Sequence, residues 1–245
     1  MTVLVGMHLG THCIVLADRR VSENGQFVHD KCEKVIVSKN HASVSGGSHL
    51  LGMIGHGHLK GMDVVGHEDV KGLADAILGF DLKLFGIKEP IGGRTMFMVS
   101  AATDRQAKLF FLELDDFANG GRVKNQSELL PGEVAFGMPA GLTPEQGQEL
   151  RNEVTQILCD FLQSQSADLN PDNTKGLVGL LVSVGRVLTT LAETTPSISS
   201  MFDVAIKSES GLTIQGQINF KKRRIVNLDQ RLEKRWVYEV DGFAP

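Results

Sequence analysis

The chain opens in period two. Thr2–Leu9 alternates apolar with small or polar residues, and His12–Ala17 follows the Gly10 turn as a β-rich apolar run ending at Asp18. Asn24–Gly25 is a hairpin turn signal, and Lys34–Ser38 with His41–Ser45 reads as a second hairpin. Gly46–Gly47 then stops the strand and Ser48 offers an N-cap, which predicts a helix from Ser48 to about His56. Gly57–Asp69 is rich in Gly and His and holds no single period, so it is expected to be a loop. The rhythm changes to helical over Val70–Leu84, with Leu73, Ala76, Ile77 and Phe80 on one face. Arg94–Ala102 and Lys108–Leu114 are apolar strands about an Asp104 turn, and Val123–Asn125 and Glu133–Phe136 suit edge strands. Two long helices are expected next. Thr143–Gln163 has a capping box from Thr143 to Gln146 and a face of Leu150, Val154, Leu158 and Leu162; Asn173–Leu191 is apolar almost all round. Three strands close the pattern near Phe202–Ser208, Leu212–Phe220 and Arg224–Asn227. Blocks of strands and helices in this order, with no linker or repeat, predict an α+β fold in layers, as one domain over residues 1–245.

Composition narrows the function. A net charge of -4 supplies no basic field, so no nucleic-acid partner is expected. The dense basic run Lys221–Arg224 reads as a solvated turn. No segment reaches the roughly 20 apolar residues of a membrane span, and no leader pattern is visible. Cys13, Cys32 and Cys159 lack CxxC spacing and read as free thiols, the first and last in apolar, buried-looking stretches. The expectation is a cytoplasmic protein without a membrane partner.

The candidate chemistry begins at Thr2. Removal of Met1 would leave a free α-amine beside a hydroxyl, a nucleophile that carries its own base; such an amine has a pKa of about 7.7–8.0. Asp18 closes the second strand sixteen positions later, Lys34 opens another strand thirty-two positions after Thr2, and Gly46–Gly47 ends the next hairpin ahead of a helix. This set, in the stretches Thr2-Val-Leu-Val, Leu16-Ala-Asp-Arg-Arg20, Glu33-Lys34-Val35 and Ser45-Gly46-Gly47-Ser48, resembles the proteasome β-type N-terminal-nucleophile hydrolases. The order of elements along most of the chain resembles the same family.

The resemblance implies a four-layer αββα sandwich and a threonine-type endopeptidase acting on peptides or unfolded proteins. It implies roles as follows. Thr2 attacks, and its amine carries the proton. Lys34 lowers the pKa of hydroxyl and amine, and Asp18 holds Lys34 charged. Gly47, approached closely because of Gly46, gives an oxyanion hole. Arg20, Ser197 and Ser200 are supporting candidates. The chain departs from the family at Met138, where a serine is common, and at Ser197, where an aspartate is expected, while Ser200 can keep its place. Among bacterial members the chain looks most like the beta-proteobacterial proteasome homologue, ahead of HslV and Anbu, because its extra residues fall at Gly57–Asp69 and just after it. That implies a homo-oligomer of stacked six- or seven-membered rings, with an ATP-driven unfoldase as an open partner. Two rival readings are a non-catalytic ring protein of the same fold and a small-molecule amidase.

All eight histidines lie in the first 67 residues. His56, His58 and His67 have no carboxylate or thiolate at ligand spacing, so a solvated or pore-lining loop is preferred over a metal site. No glycine pattern makes a phosphate loop, and no cofactor is expected.

Overall fold

The computed structural model describes residues 2–23, 26–29, 32–80, 94–103, 105–138, 142–164, 174–195, 198–211, 213–219, 224–229 and 234–239. The strands are β1 Leu4–His8, β2 His12–Asp18, β3 Val21–Glu23, β4 Gln26–His29, β5 Val35–Val37, β6 His41–Gly47, β7 Thr95–Thr103, β8 Gln106–Asp115, β9 Arg122–Leu129, β10 Val134–Gly137, β11 Met201–Ser208, β12 Thr213–Asn219, β13 Arg224–Asp229 and β14 Lys234–Glu239. The helices are α1 His49–Lys60, α2 His67–Leu78, α3 Pro144–Ser164 and α4 Thr174–Thr194. All strand pairs are antiparallel. One sheet runs β10-β1-β2-β11-β12-β13-β14, a second runs β5-β6-β7-β8-β9, and β3-β4 forms a separate ribbon.

Alternation along each strand builds three cores and hence four layers. Val3, Val5, Met7, Ile14 and Leu16 face one way, onto Val154 and Leu158 of α3 and Leu180, Val184 and Leu188 of α4. Leu4, Val15 and Ala17 face the other way, onto Val44, Met96, Met98 and Leu109 of the second sheet. Phe97, Val99, Phe110 and Leu112 turn to the far side of that second sheet and meet Leu51 and Leu59 of α1 and Leu73 and Ile77 of α2.

The period-two expectations hold where they are described, and both predicted edge strands sit at sheet edges, as β9 and β10. The Thr143–Gln146 box forms in both directions: Gln146 N–H donates to Thr143 Oγ1 (3.2 Å) and Thr143 N–H to Gln146 Oε1 (2.9 Å). The structure corrects several expectations. α1 continues through Gly57 to Lys60, because its glycines are contact points rather than breaks. Gly55 lies so close to β7 that a Cβ there would be 2.3 Å from the Phe97 ring, and Leu59 is fully buried one turn on. So His56 is a buried helix residue, and the expected loop shrinks to the α1–α2 connection. α2 starts earlier, at His67, and buries Val70, Leu73, Ala74 and Ile77, with Ala74 instead of Ala76 on the inner face. Cys159 is half-buried, not enclosed, although Cys13 is buried. Strand β14 was not anticipated. α2 also ends earlier, at Leu78 with Gly79 as its C-cap, so Phe80 lies beyond the helix and not on its face. The Asn24–Gly25 and Asp104 turns and residues 221–223 of the basic run lie outside the described residues. No helix among the described residues is long and apolar enough to cross a membrane.

Candidate active site

The start of β1, the end of β2, the start of β5, the end of β6 and the start of β11 meet at one end of the two-sheet sandwich. Thr2 is two positions before Leu4, so strand alternation directs both toward the space between the sheets. Its side chain is buried and accepts a hydrogen bond from Lys34 Nζ. A Cβ on Gly46 would lie 3.0 Å from Thr2 Cβ, which places the β6 terminus directly against the threonine. Gly47 has φ +94, a conformation that favours glycine, and a Cβ there would strike the Arg94 carbonyl oxygen at 1.9 Å.

Asp18 is the anchor of the cluster. It is fully buried. Its Oδ1 accepts the Val3 N–H at 2.9 Å, and its Oδ2 accepts the N–H groups of Arg20 and Ser199, each at 3.2 Å. Lys34 Nζ stands 3.7 Å from Asp18 Oδ1. The same ammonium donates to the Arg20 carbonyl at 2.7 Å, so its three partners are Thr2, Arg20 and Asp18. Burial lowers the Lys34 pKa, against the pull of Asp18, Cys32 and Asp203. Burial also raises that of Asp18, against Lys34 and the three N–H donors. The lysine is therefore held closer to its protonation boundary than a surface lysine, in contact with a hydroxyl.

Sequence reasoning had named Thr2, Asp18, Lys34, Gly46 and Gly47, and the structure brings these five together. Arg20 joins through its main chain. Ser197 lies outside the described residues, and Ser200 is half-buried. The contact to Asp18 comes from Ser199, whose Oγ also accepts the Met201 N–H at 3.0 Å. Met138 turns toward α3, and a Cβ on Gly147 would sit 1.6 Å from its sulfur.

Two residues of the cluster were missed. Asp203 of β11 is buried. It accepts the Lys34 backbone N–H on Oδ2 (3.0 Å) and pairs with Arg19 Nη1 through Oδ1 (3.0 Å). Burial pushes its pKa up to about 6 despite these partners. It was legible as the one acidic residue in the apolar run Met201–Ile206. Arg19 directly follows β2 and donates its N–H to the Met201 carbonyl at 2.9 Å, which sets it beside Asp203; no sequence signal marked it. Near the cluster, Cys32 Sγ lies 3.9 Å from His49 Nδ1, and burial raises the pKa of this thiol.

The described residues contain no group of three or more His, Cys, Asp or Glu that could hold a metal ion. His56 is buried beneath α1 while His58 is exposed on it, so the His56–His58–His67 triplet is not gathered. No family model matches the chain, and no curated protein matches it.

Proposed function

We propose that the protein is a threonine-type peptidase of the N-terminal-nucleophile class, with a proteasome β-type αββα fold. The observation that carries this reading is the hydrogen bond from buried Lys34 to the Thr2 hydroxyl, in a cluster anchored by Asp18. Cleavage of the Met1–Thr2 bond frees the amine on which the chemistry depends. Thr2 Oγ1 then adds to the carbonyl carbon of a peptide bond, and its proton passes to the Thr2 amine. The Lys34 charge favours both the alkoxide and the unprotonated amine. The negative oxygen of the tetrahedral adduct is held by the Gly47 N–H. Breaking the C–N bond releases the amine product, which takes the proton back and leaves an ester on Thr2. Water cleaves the ester, with the Thr2 amine as base, and restores the hydroxyl.

The substrate class is peptide or unfolded protein. The same reading makes the assembly a homo-oligomer of stacked six- or seven-membered rings, with an unfoldase as a candidate partner. Intact-mass spectrometry before and after treatment with a peptide epoxyketone tests the chemistry, because that reagent needs a free amine and the adjacent hydroxyl. A chain lacking Met1 that gains one adduct on Thr2 is the expected result. Thr2→Ala should take up no reagent and lose peptide cleavage altogether while keeping its assembly. Cleavage by Thr2→Ala at the wild-type rate would end the proposal. Met1 loss without an adduct would favour a ring protein that does not cleave.

A further inference from the structure

We infer that Arg94 is a positioning residue that sets the distance between the nucleophile strand and the glycine turn; this rests on the peptidase reading above. The Gly46–Gly47 turn is held from behind by the segment Arg94–Thr95. Ser48 N–H donates to the Arg94 carbonyl at 3.2 Å, and Thr95 Oγ1 donates to the Gly46 carbonyl at 3.1 Å. The space where a Gly47 Cβ would stand is taken by the same Arg94 carbonyl. The main chain of Arg94 thus defines the conformation of the turn.

The side chain of Arg94 is tied to both sheets. Nη2 donates to the Met138 carbonyl at 2.5 Å, and Nη1 pairs with Glu113 Oε1 at 3.2 Å. Met138 directly follows β10, whose Gly137 is in register with Leu4 of the nucleophile strand. Glu113 belongs to β8 of the second sheet, in which β6 carries the glycine turn. One guanidinium therefore spans from the sheet of Thr2 to the sheet of Gly47, at the end where the two meet. The planar fork of Arg suits two fixed acceptors; a lysine ammonium has the charge without that geometry. Glu113 keeps a second cation, Lys124 at 3.0 Å, so loss of Arg94 does not leave its carboxylate unpaired. The fold should survive the substitution while the turn loosens.

The experiment compares wild-type protein with Arg94→Ala and Arg94→Lys, as full chains with Met1 removed. Three readouts are followed: turnover of a fluorogenic peptide amide, melting temperature, and amide exchange at Gly47 and Ser48. In Arg94→Ala, kcat should fall about 10- to 100-fold with KM within about threefold, as expected when a transition-state donor is displaced. Exchange at Ser48 should quicken while amides inside β7 stay protected. Arg94→Lys should recover part of kcat. Unchanged kcat and unchanged exchange would overturn the role, as would a parallel fall of kcat, melting temperature and β7 protection. If the wild-type protein cleaves nothing, the peptidase reading fails, and exchange at Ser48 still decides whether Arg94 holds the turn.

Discussion

Two buried polar clusters flank the second sheet of this protein, and they are built in opposite ways. At the site end, the Asp18 carboxylate accepts three backbone N–H groups and the Lys34 ammonium has three partners. Beneath α1, His41 and Ser43 of β6 face the helix layer, since they lie opposite Ala101 and Val99, which pack there. His56 comes down from α1 with its ring edge-on to Phe97, 5.8 Å between centroids. Here His41 Nε2, Ser43 Oγ and His56 Nε2 are buried and find no partner among the described residues. A satisfied buried network fixes one geometry, whereas an unsatisfied polar group costs free energy wherever it sits. The contrast assigns precision to the first cluster and acid sensitivity to the second.

The largest effect should come from opening the satisfied cluster. Asp18→Ala removes the charge that faces Lys34 and strands the N–H groups of Val3, Arg20 and Ser199. Breaking a buried ion pair from one side costs about 3–5 kcal/mol, and the loss should appear as a lower denaturant midpoint. Asp18→Asn keeps an acceptor for the N–H groups and should recover part of the stability but little of the peptidase activity proposed above, since Lys34 then has no counter-charge at that position. Equal stability of wild type and Asp18→Ala in urea titrations would show that the network is not an anchor.

Much of the site was legible because its residues stand at strand ends, where the period-two pattern stops. Thr2, Asp18, Lys34 and Gly46–Gly47 could each be placed by where alternation begins or ends. The helix layer was harder to read. Gly52, Gly55 and Gly57 weaken a helical signal, yet Gly55 is what lets α1 approach Phe97 closely. A glycine that permits close packing and one that ends a helix look alike in sequence. Arg94 acts across the sheets through tertiary contacts that no local spacing announces, and the apolar run around Asp203 marks that residue without naming its partners Lys34 and Arg19. Ser199 and Ser200 are adjacent, and one residue of register separates contact with Asp18 from partial exposure.

The unsatisfied cluster should show itself through pH. Burial lowers the pKa of His41 to about 4, with Lys207 pressing the same way and Asp63 opposing. Burial lowers that of His56 to about 4 as well, reinforced by Lys60 and His41. Both values are below the ordinary 6.5, so the unfolded chain takes up protons first. The stability these groups allow is complete above pH 6.5 and is lost as pH falls toward 4. Asp203 works in the opposite sense: its folded pKa of about 6 is above the ordinary 3.8, so its contribution is complete below 3.8 and lost as pH rises through 6. Burial raises Asp18 in the same sense as Asp203, and it lowers His8 and His12 as it lowers His41 and His56. Four histidines stand against two carboxylates, and melting temperature should drop between pH 7 and 5. His56→Leu should remove about 2 kcal/mol of that loss at pH 5. A pH profile in the variant parallel to wild type would place the acid sensitivity elsewhere.

The smallest effect separates the two kinds of buried hydroxyl on a single sheet. Ser100 of β7 is fully buried and donates from Oγ to the Ala42 carbonyl at 3.2 Å. Ser43 is equally buried with no such partner among the described residues. Replacing either by Ala removes one oxygen and leaves the strand otherwise unchanged. Ser100→Ala gives up a hydrogen bond and leaves a buried carbonyl with one acceptor site less used, which should cost about 1 kcal/mol. Ser43→Ala exchanges an unsatisfied hydroxyl for a methyl group beside Val99, and should be neutral or stabilising by up to about 1 kcal/mol. Urea denaturation of the two variants under one set of conditions reads the difference directly, because the native burial is the same. If both lose stability equally, Ser43 is partnered in solution, and the cluster under α1 is satisfied like the one around Asp18.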